Sequence, residues 1–255
     1  MTDKQRTDRL QQLLTARLQD AIILSERRKK PQFVGFLDER TQFSVQTYMM
    51  QTGFQNYMLY GGSSACERVV FGAFPAHLPA QEQAFPIAAV TASFRKCDEL
   101  SHRDFLGALL GLGLQRDALG DFLLEDGRCV FFIKEELCPF VLEQLKKVGR
   151  TGVVLRQGVE LPLPQGRGFD KFSFVVASLR LDCVVAALMG LSREKAAVII
   201  TSGLVACNAE PAHAVSQPVH AGDKLSVRGK GKFVIDTADA VTKKGRLRIY
   251  GRKYR

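Results

Sequence analysis

The six cysteines, Cys66, Cys97, Cys129, Cys138, Cys183 and Cys207, never form a C-x-x-C pair. The four histidines, His77, His102, His213 and His220, have no zinc-ligand spacing relative to them, so no structural metal and no cofactor is expected. No apolar run approaches the roughly 20 residues of a membrane helix. The opening "MTDKQRTDRL" also lacks the apolar core of a signal peptide. Reduced thiols in a cytoplasmic protein, without membrane insertion, are therefore expected. No internal repeat is present.

What is present is an ordinary globular composition, 46% hydrophobic and 24% charged over 255 residues, enough chain for one large domain or several small ones. The net charge of +10 is unevenly placed. Residues 178–255 hold 14 Lys+Arg against 6 Asp+Glu, and the preceding 177 hold the other 22 against 20. A nearly neutral body with a basic C-terminal third points to a polyanionic partner.

Periodicity places a helix up to about Lys30, ended by "KKPQF", and a second helix over "DERTQFSVQTYMMQTG". "NYMLYGG" and "ERVVFGAF" read as strands joined by a turn at Gly61 to Ser64. "FPIAAVTASF" is a strand, and "SHRDFLGALLGLG" a helix with Ser101 placed to cap it and Gly113 to stop it. "GDFLLE" and "RCVFFI" flank Asp126-Gly127, a strong hairpin signal. "KEELCPFVLEQLKKVG" reads as a helix with acids first and lysines last, and "TGVVLRQ" as a strand. The order β-α-β-β-α-β is a split βαβ, a ferredoxin-like architecture.

"LPLPQGRGFD" is the clearest linker. Beyond it come helices over "SLRLDCVVAALMG" and "SREKAAVIITSG", a strand "LVACN", a loop from Ala209 to Ala221, one strand over "GDKLSVRGKGKFVI", and a loose-ended strand in the tail. In "SVRGKGKF", Arg228, Lys230 and Lys232 sit at every second position, so an extended strand would aim three cations at one face. The expected fold is α+β in several modules: an N-terminal α/β module (1–82), a ferredoxin-like middle domain (83–160), a linker (161–173) and a basic α-α-β domain (174–255).

The last region resembles the RNA-binding domain named after ribosomal protein S-four, through "SLRLD", "LSREKAAVII", "GLVACN" and "GDKLSVRG". Ser192 can cap the second helix, leaving its positive end to a phosphate. Arg180, Arg193 and Lys195 lie at helix starts, where cations are unfavourable unless an anion neutralises them. Arg228, Lys230 and Lys232 would supply a cationic strand in which Gly229 lets an RNA backbone approach. With Ser178 and Asn208 from the matching stretches, these residues are the expected RNA-binding set; no catalytic residue is expected.

"FLDERTQ", "GGSSACER" and above all "LSHRDFLGALLGLGLQRDALGDFLLEDG" extend the similarity to the bacterial and plastid family known as YlmH. That resemblance implies binding of ribosomal RNA, action on the large ribosomal subunit in quality control of stalled nascent chains, and contact with tRNA or peptidyl-tRNA by a monomer. It also implies a link to cell division. The family pattern is more basic after "CER", where this chain has Val69 and Val70, which counts against RNA contacts at Glu67 and Arg68.

Two motifs invite an enzymatic reading. "RLD" at Arg180 to Asp182 is like the aspartate setting of pseudouridine synthases, but "CVVAAL" follows it instead of Thr-x-Gly. Asp182 reads better as a helix-start carboxylate that orients Arg180 or Arg193. "HRD" at His102 to Asp104 lacks the Asn that a kinase loop needs five residues on, and Asp104 fits a capping box instead. The phenylalanines of "RGFDKF" are expected to pack onto the basic domain. Phe131 and Phe132 lack the RNA-recognition signature, leaving the middle domain a docking or spacing role. A third reading is a basic adaptor at the membrane or division site, which the tail serves poorly because it offers no amphipathic helix.

Overall fold

The computed structural model describes residues 3–164, 169–241 and 245–254. It is a mixed α+β protein with several sheets that divides into two compact units, Met1–Gly166 and Arg167–Arg255.

In the first unit, helix α1 (Asp3–Arg28) leads into strand β1 (Gln32–Leu37) and helix α2 (Glu39–Thr52). Asp38 caps α2 by accepting from the Thr41 backbone N–H at 2.9 Å, and Gly53 ends it at a left-handed φ of 68°. Strands β2 (Tyr57–Tyr60) and β3 (Val69–Ala73) complete a three-stranded sheet in the order β1-β3-β2. β1 is absent from the sequence reading because Gly35 weakens the strand signal. A Cβ there would sit 2.6 Å from the Asp117 carbonyl oxygen, so close packing demands the glycine.

The middle of this unit contains β4 (Ile87–Ser93), α3 (His102–Gly111), β5 (Leu119–Glu125), β6 (Arg128–Lys134), α4 (Cys138–Gln144), a small β7–β8 pair (Lys147–Val148 and Thr151–Gly152) and β9 (Val154–Gln157). The four-stranded sheet runs β5-β6-β4-β9, with every pairing antiparallel. The Asp104 carboxylate accepts from the Ser101 backbone N–H at 2.8 Å and from its hydroxyl at 2.6 Å, so the "HRD" triplet is a helix start. The long helix expected over residues 134–149 is shorter. A 3-10 turn (Glu135–Leu137) precedes α4, Pro139 lies in its first turn, and Lys146 and Lys147 fall beyond its end.

Both faces of this sheet are covered. Phe131 packs with Phe105, Leu109 and Val141 from the helices. Phe132, its neighbour, points the other way into Phe36, Val70, Phe74 and Phe85. The N-terminal module thus shares a core with the middle domain across residues 82 and 83. Arg68 reinforces the junction: its guanidinium donates to the carbonyls of Phe36 (2.7 Å), Leu119 (3.0 Å) and Arg116 (3.1 Å). Asp121 accepts from the backbone N–H groups of Glu67 and Arg68. Arg68 therefore serves the fold, consistent with leaving it out of the RNA-binding set.

The second unit holds β10 (Phe169–Val176), α5 (Leu181–Met189), α6 (Arg193–Thr201), β11 (Val205–Cys207), β12 (Glu210–Pro211), β13 (Lys224–Val227), β14 (Gly231–Val241) and β15 (Leu247–Tyr254). Its sheet order is β10-β15-β14-β13-β11-β12. The linker is accordingly shorter than expected, since Phe169 to Ser173 already belong to β10; residues 165–168 of it lie outside the described residues. Phe172 packs onto the core of this unit, over Gly251, where a Cβ would meet its ring at 2.3 Å. The tail is not loose-ended over its described residues: β15 is an interior strand paired with β10 and β14.

Among the described residues no helix is long and apolar enough to cross a membrane, and no His, Cys, Asp and Glu cluster could hold a metal ion. All six cysteines are free, and Cys97 alone is exposed. Burial pushes the Cys66 thiol up to about 12, with the Asp121 charge adding to the effect, and raises Cys207 to about 11. Titration of the native protein with a chromogenic disulfide at pH 8 is expected to give one fast thiol, lost in Cys97→Ser, and the others only on denaturation. Several fast thiols would contradict this packing.

Candidate nucleic-acid interface

Helices α5 and α6 start beside one another, and Asp182 joins them. Its carboxylate, only 5% exposed, accepts from Arg193 at 2.7 Å, from Arg180 at 3.2 and 3.3 Å, and from the Cys183 backbone N–H at 2.9 Å. Burial opposes its ionisation, but the hydrogen bonds and charges of Arg180 and Arg193 outweigh that and hold it at about 2. The two cations at helix starts therefore find their counter-charge inside the protein. Both guanidinium side chains remain about half exposed, 44% for Arg180 and 58% for Arg193, so donors are left for an outside anion.

Ser192 caps α6, its hydroxyl accepting from the Lys195 backbone N–H at 3.3 Å, and Lys195 is exposed in that first turn. At α5 the first backbone donors are already used: the N–H groups of Leu181 and Asp182 donate to the carbonyls of Gln217 and Val215. Ser178 lies just before, its hydroxyl 3.4 Å from the Cys183 sulfur.

The "SVRGKGKF" stretch is not one extended strand. β13 ends at Val227, Arg228-Gly229-Lys230 form a hairpin turn, and β14 begins at Gly231. Glycines at φ 78° (Gly229) and 116° (Gly231) make this tight reversal possible, and a Gly-x-Gly pair is as much a hairpin signal as a weakness in a strand. Arg228 and Lys230 thus sit at a loop tip, and only Lys232 lies in a strand. A Cβ on Gly229 would meet open space, so its backbone angle requires the glycine, not a close approach.

The structure divides the expected residues into two groups. Arg180, Ser192, Arg193 and Lys195 gather at the helix starts. The Arg228 backbone N–H donates to the Leu204 carbonyl, which places the turn at the opposite end of α6. Nine helical residues, or roughly 14 Å, separate the groups. Asn208 stands apart in a left-handed conformation (φ 51°), its amide donating to Asp223 at 2.8 Å and accepting from the Lys224 backbone N–H at 2.9 Å. Those bonds tie the end of β11 to the start of β13.

Comparison with known proteins finds two domain families that match stretches of this sequence. A family described as "Putative RNA-binding domain in YlmH" matches residues 80–160, and the "S4 domain" family matches residues 179–225, which span both helix starts. A Bacillus subtilis (strain 168) protein named "Ribosome-associated protein quality control protein P2" is 30% identical over 219 residues, covering 84% of each chain. Among solved structures, "Cell division protein ylmH from Streptococcus pneumoniae" aligns at 19% identity with a TM-score of 0.49, covering 62% of this chain and 93% of that one. On the match to the Bacillus protein and the two RNA-binding domain families, the chain belongs to the YlmH family of RNA-binding proteins.

Proposed function

We propose that this protein binds ribosomal RNA on the large ribosomal subunit, as a non-enzymatic cytoplasmic factor in the handling of stalled nascent chains. The observation that carries the reading is the pair of half-exposed arginines, Arg180 and Arg193, pinned by a buried carboxylate inside the segment matched to the S4 domain. A guanidinium held in place by one carboxylate loses little further freedom when it also meets a phosphate. Lys195 extends this contact, and Arg228, Lys230 and Lys232 make a second one at the far end of α6. Gly229 shapes the turn of the second contact, Ser178 lies just before the first, and Asn208 joins β11 to β13 apart from both.

The strand order β5-β6-β4-β9 supports a ferredoxin-like middle domain (83–160), and the shared aromatic core supports its docking on the N-terminal module (1–82), apart from the basic domain (174–255). The Bacillus relative's name supports ribosome association and quality control, and tRNA or peptidyl-tRNA would then be a further contact of the monomer. The non-enzymatic reading is supported by Asp182, whose carboxylate is committed to two arginines.

Sucrose-gradient sedimentation of lysate tests the proposal. The native protein is expected to travel with free large subunits, and Arg193→Glu/Arg228→Glu to stay at the top. A native protein that also stays at the top would refute ribosome association.

A further inference from the structure

The outward face of the C-terminal sheet carries a pattern that the helix-side site does not use. Phe172 and Phe174 of β10 and Leu247 and Ile249 of β15 pack with α5 and α6 in the core. Alternation then places Lys171, Ser173, Arg248, Tyr250 and Arg252 on the opposite face. In "RIYGRKY" the outward positions read Arg248, Tyr250, Arg252, Tyr254, an alternation of cation and aromatic. Gly251 allows it, since its missing side chain leaves room for the Phe172 ring beneath, while its neighbours face outward.

Cross-strand register sharpens the pattern. Tyr250, 45% exposed, lies opposite Ser173 on one side and Thr237 on the other, both small and exposed, so its ring stands clear. Lys171 is directly opposite Arg252, a like-charge pair that destabilises a sheet unless an anion lies across it. Asp236 answers part of that charge, its carboxylate accepting from Arg252 at 2.9 and 3.0 Å. Lys171 and Arg248 are exposed. Strand rise sets Arg248 and Arg252 about 13 Å apart with Tyr250 midway.

We infer that this face is a second RNA-binding surface, separate from the helix starts, which takes a single-stranded segment by stacking one unpaired base on Tyr250 while Lys171, Arg248 and Arg252 hold the flanking phosphates. Paired RNA cannot use it, because its bases are already stacked on each other. A cationic track interleaved with an aromatic platform is the chemistry that single strands require. One small basic domain would thereby hold two RNA elements at once, a structured one at the helices and an unpaired one at the sheet.

Fluorescence anisotropy of the full-length protein with two labelled probes, a short unstructured oligouridylate and a blunt-ended RNA duplex, tests this. Tyr250→Ala is expected to weaken oligouridylate binding about tenfold, within the range that loss of one base–aromatic stack produces, and to leave duplex binding within about twofold. Tyr250→Phe should restore it, and Lys171→Glu/Arg248→Glu should weaken it at least as much as the alanine. Arg193→Glu/Arg228→Glu should show the reverse selectivity. If Tyr250→Ala binds oligouridylate like the parent, or if polyglutamate competes as well as unlabelled oligouridylate, the inference is overturned. If instead only the helix-side variant behaves unlike expectation, the sheet-face surface stands and the function proposed above is what fails.

Discussion

Replacing Phe132 with Ala is expected to cost ~3–5 kcal/mol, the range for deleting a buried aromatic ring that neighbours cannot collapse to fill. The ring is 2% exposed and lies among Phe36, Val70, Phe74 and Phe85. It fits there because Gly62 has no side chain: a Cβ would come within 2.3 Å of it. Its neighbour Phe131 belongs to the separate core under α3 and α4. If the two modules of the first unit fold as one, chemical denaturation of Phe132→Ala should lower the stability of both together, in one transition for that unit. Phe140→Ala, at a ring 42% exposed, should change little. A Phe132→Ala loss below about 1 kcal/mol would mean that the two modules do not depend on each other.

The second large effect lies at Asp182, where charge and burial oppose each other. Its folded carboxyl titrates at about 2, below the ordinary 3.8. Its stabilisation is therefore complete above about pH 4 and is lost as pH falls through about 2, a contribution of about 2 kcal/mol. Asp182→Asn is expected to forfeit about that amount at neutral pH, and to flatten this part of the acid-unfolding curve. Because the variant also releases Arg180 and Arg193 from the carboxylate that orients them, RNA affinity should fall wherever the fold survives. An aspartate acting on a base predicts otherwise: stability and acid response unchanged, and loss of an RNA modification. Unfolding curves at pH 7 and pH 3, with nucleoside analysis of the RNA, separate the two outcomes.

Much of the local structure was legible because its causes are local. The Ser101–Asp104 capping box, the Asp126-Gly127 turn, the Ser192 cap and the glycine stop at Gly53 each involve residues within one helical turn or one hairpin. The four stretches that resemble the S-four-like domain brought Arg180, Ser192, Arg193 and Lys195 to attention, and the link from Asp182 to Arg180 and Arg193 follows from residue type and helix position. Less legible was whatever depends on what packs on top. "QFVGFL" hides as a strand because Gly35 is there for the Asp117 carbonyl, which comes from distant sequence. "SVRGKGKF" satisfies both a strand pattern and a hairpin pattern, and the pairing of Val227 with Gly231 chooses the hairpin. No periodicity in "RCVFFI" says that Phe132 is covered by the N-terminal module while Phe131 is covered by helices.

The sequence by itself determined the charge asymmetry, the helix caps and starts, the Asp126-Gly127 turn and the family, since these are properties of composition or of neighbours in the chain. The tertiary structure alone decided how the cations are grouped. α6 keeps Arg193 and Arg228 at opposite ends, and β15, held between β10 and β14, turns Arg248, Tyr250 and Arg252 to a face that the helices leave open. Side-chain direction in a sheet follows from register, and register is set by which strands pair, a choice made by burial over the whole unit.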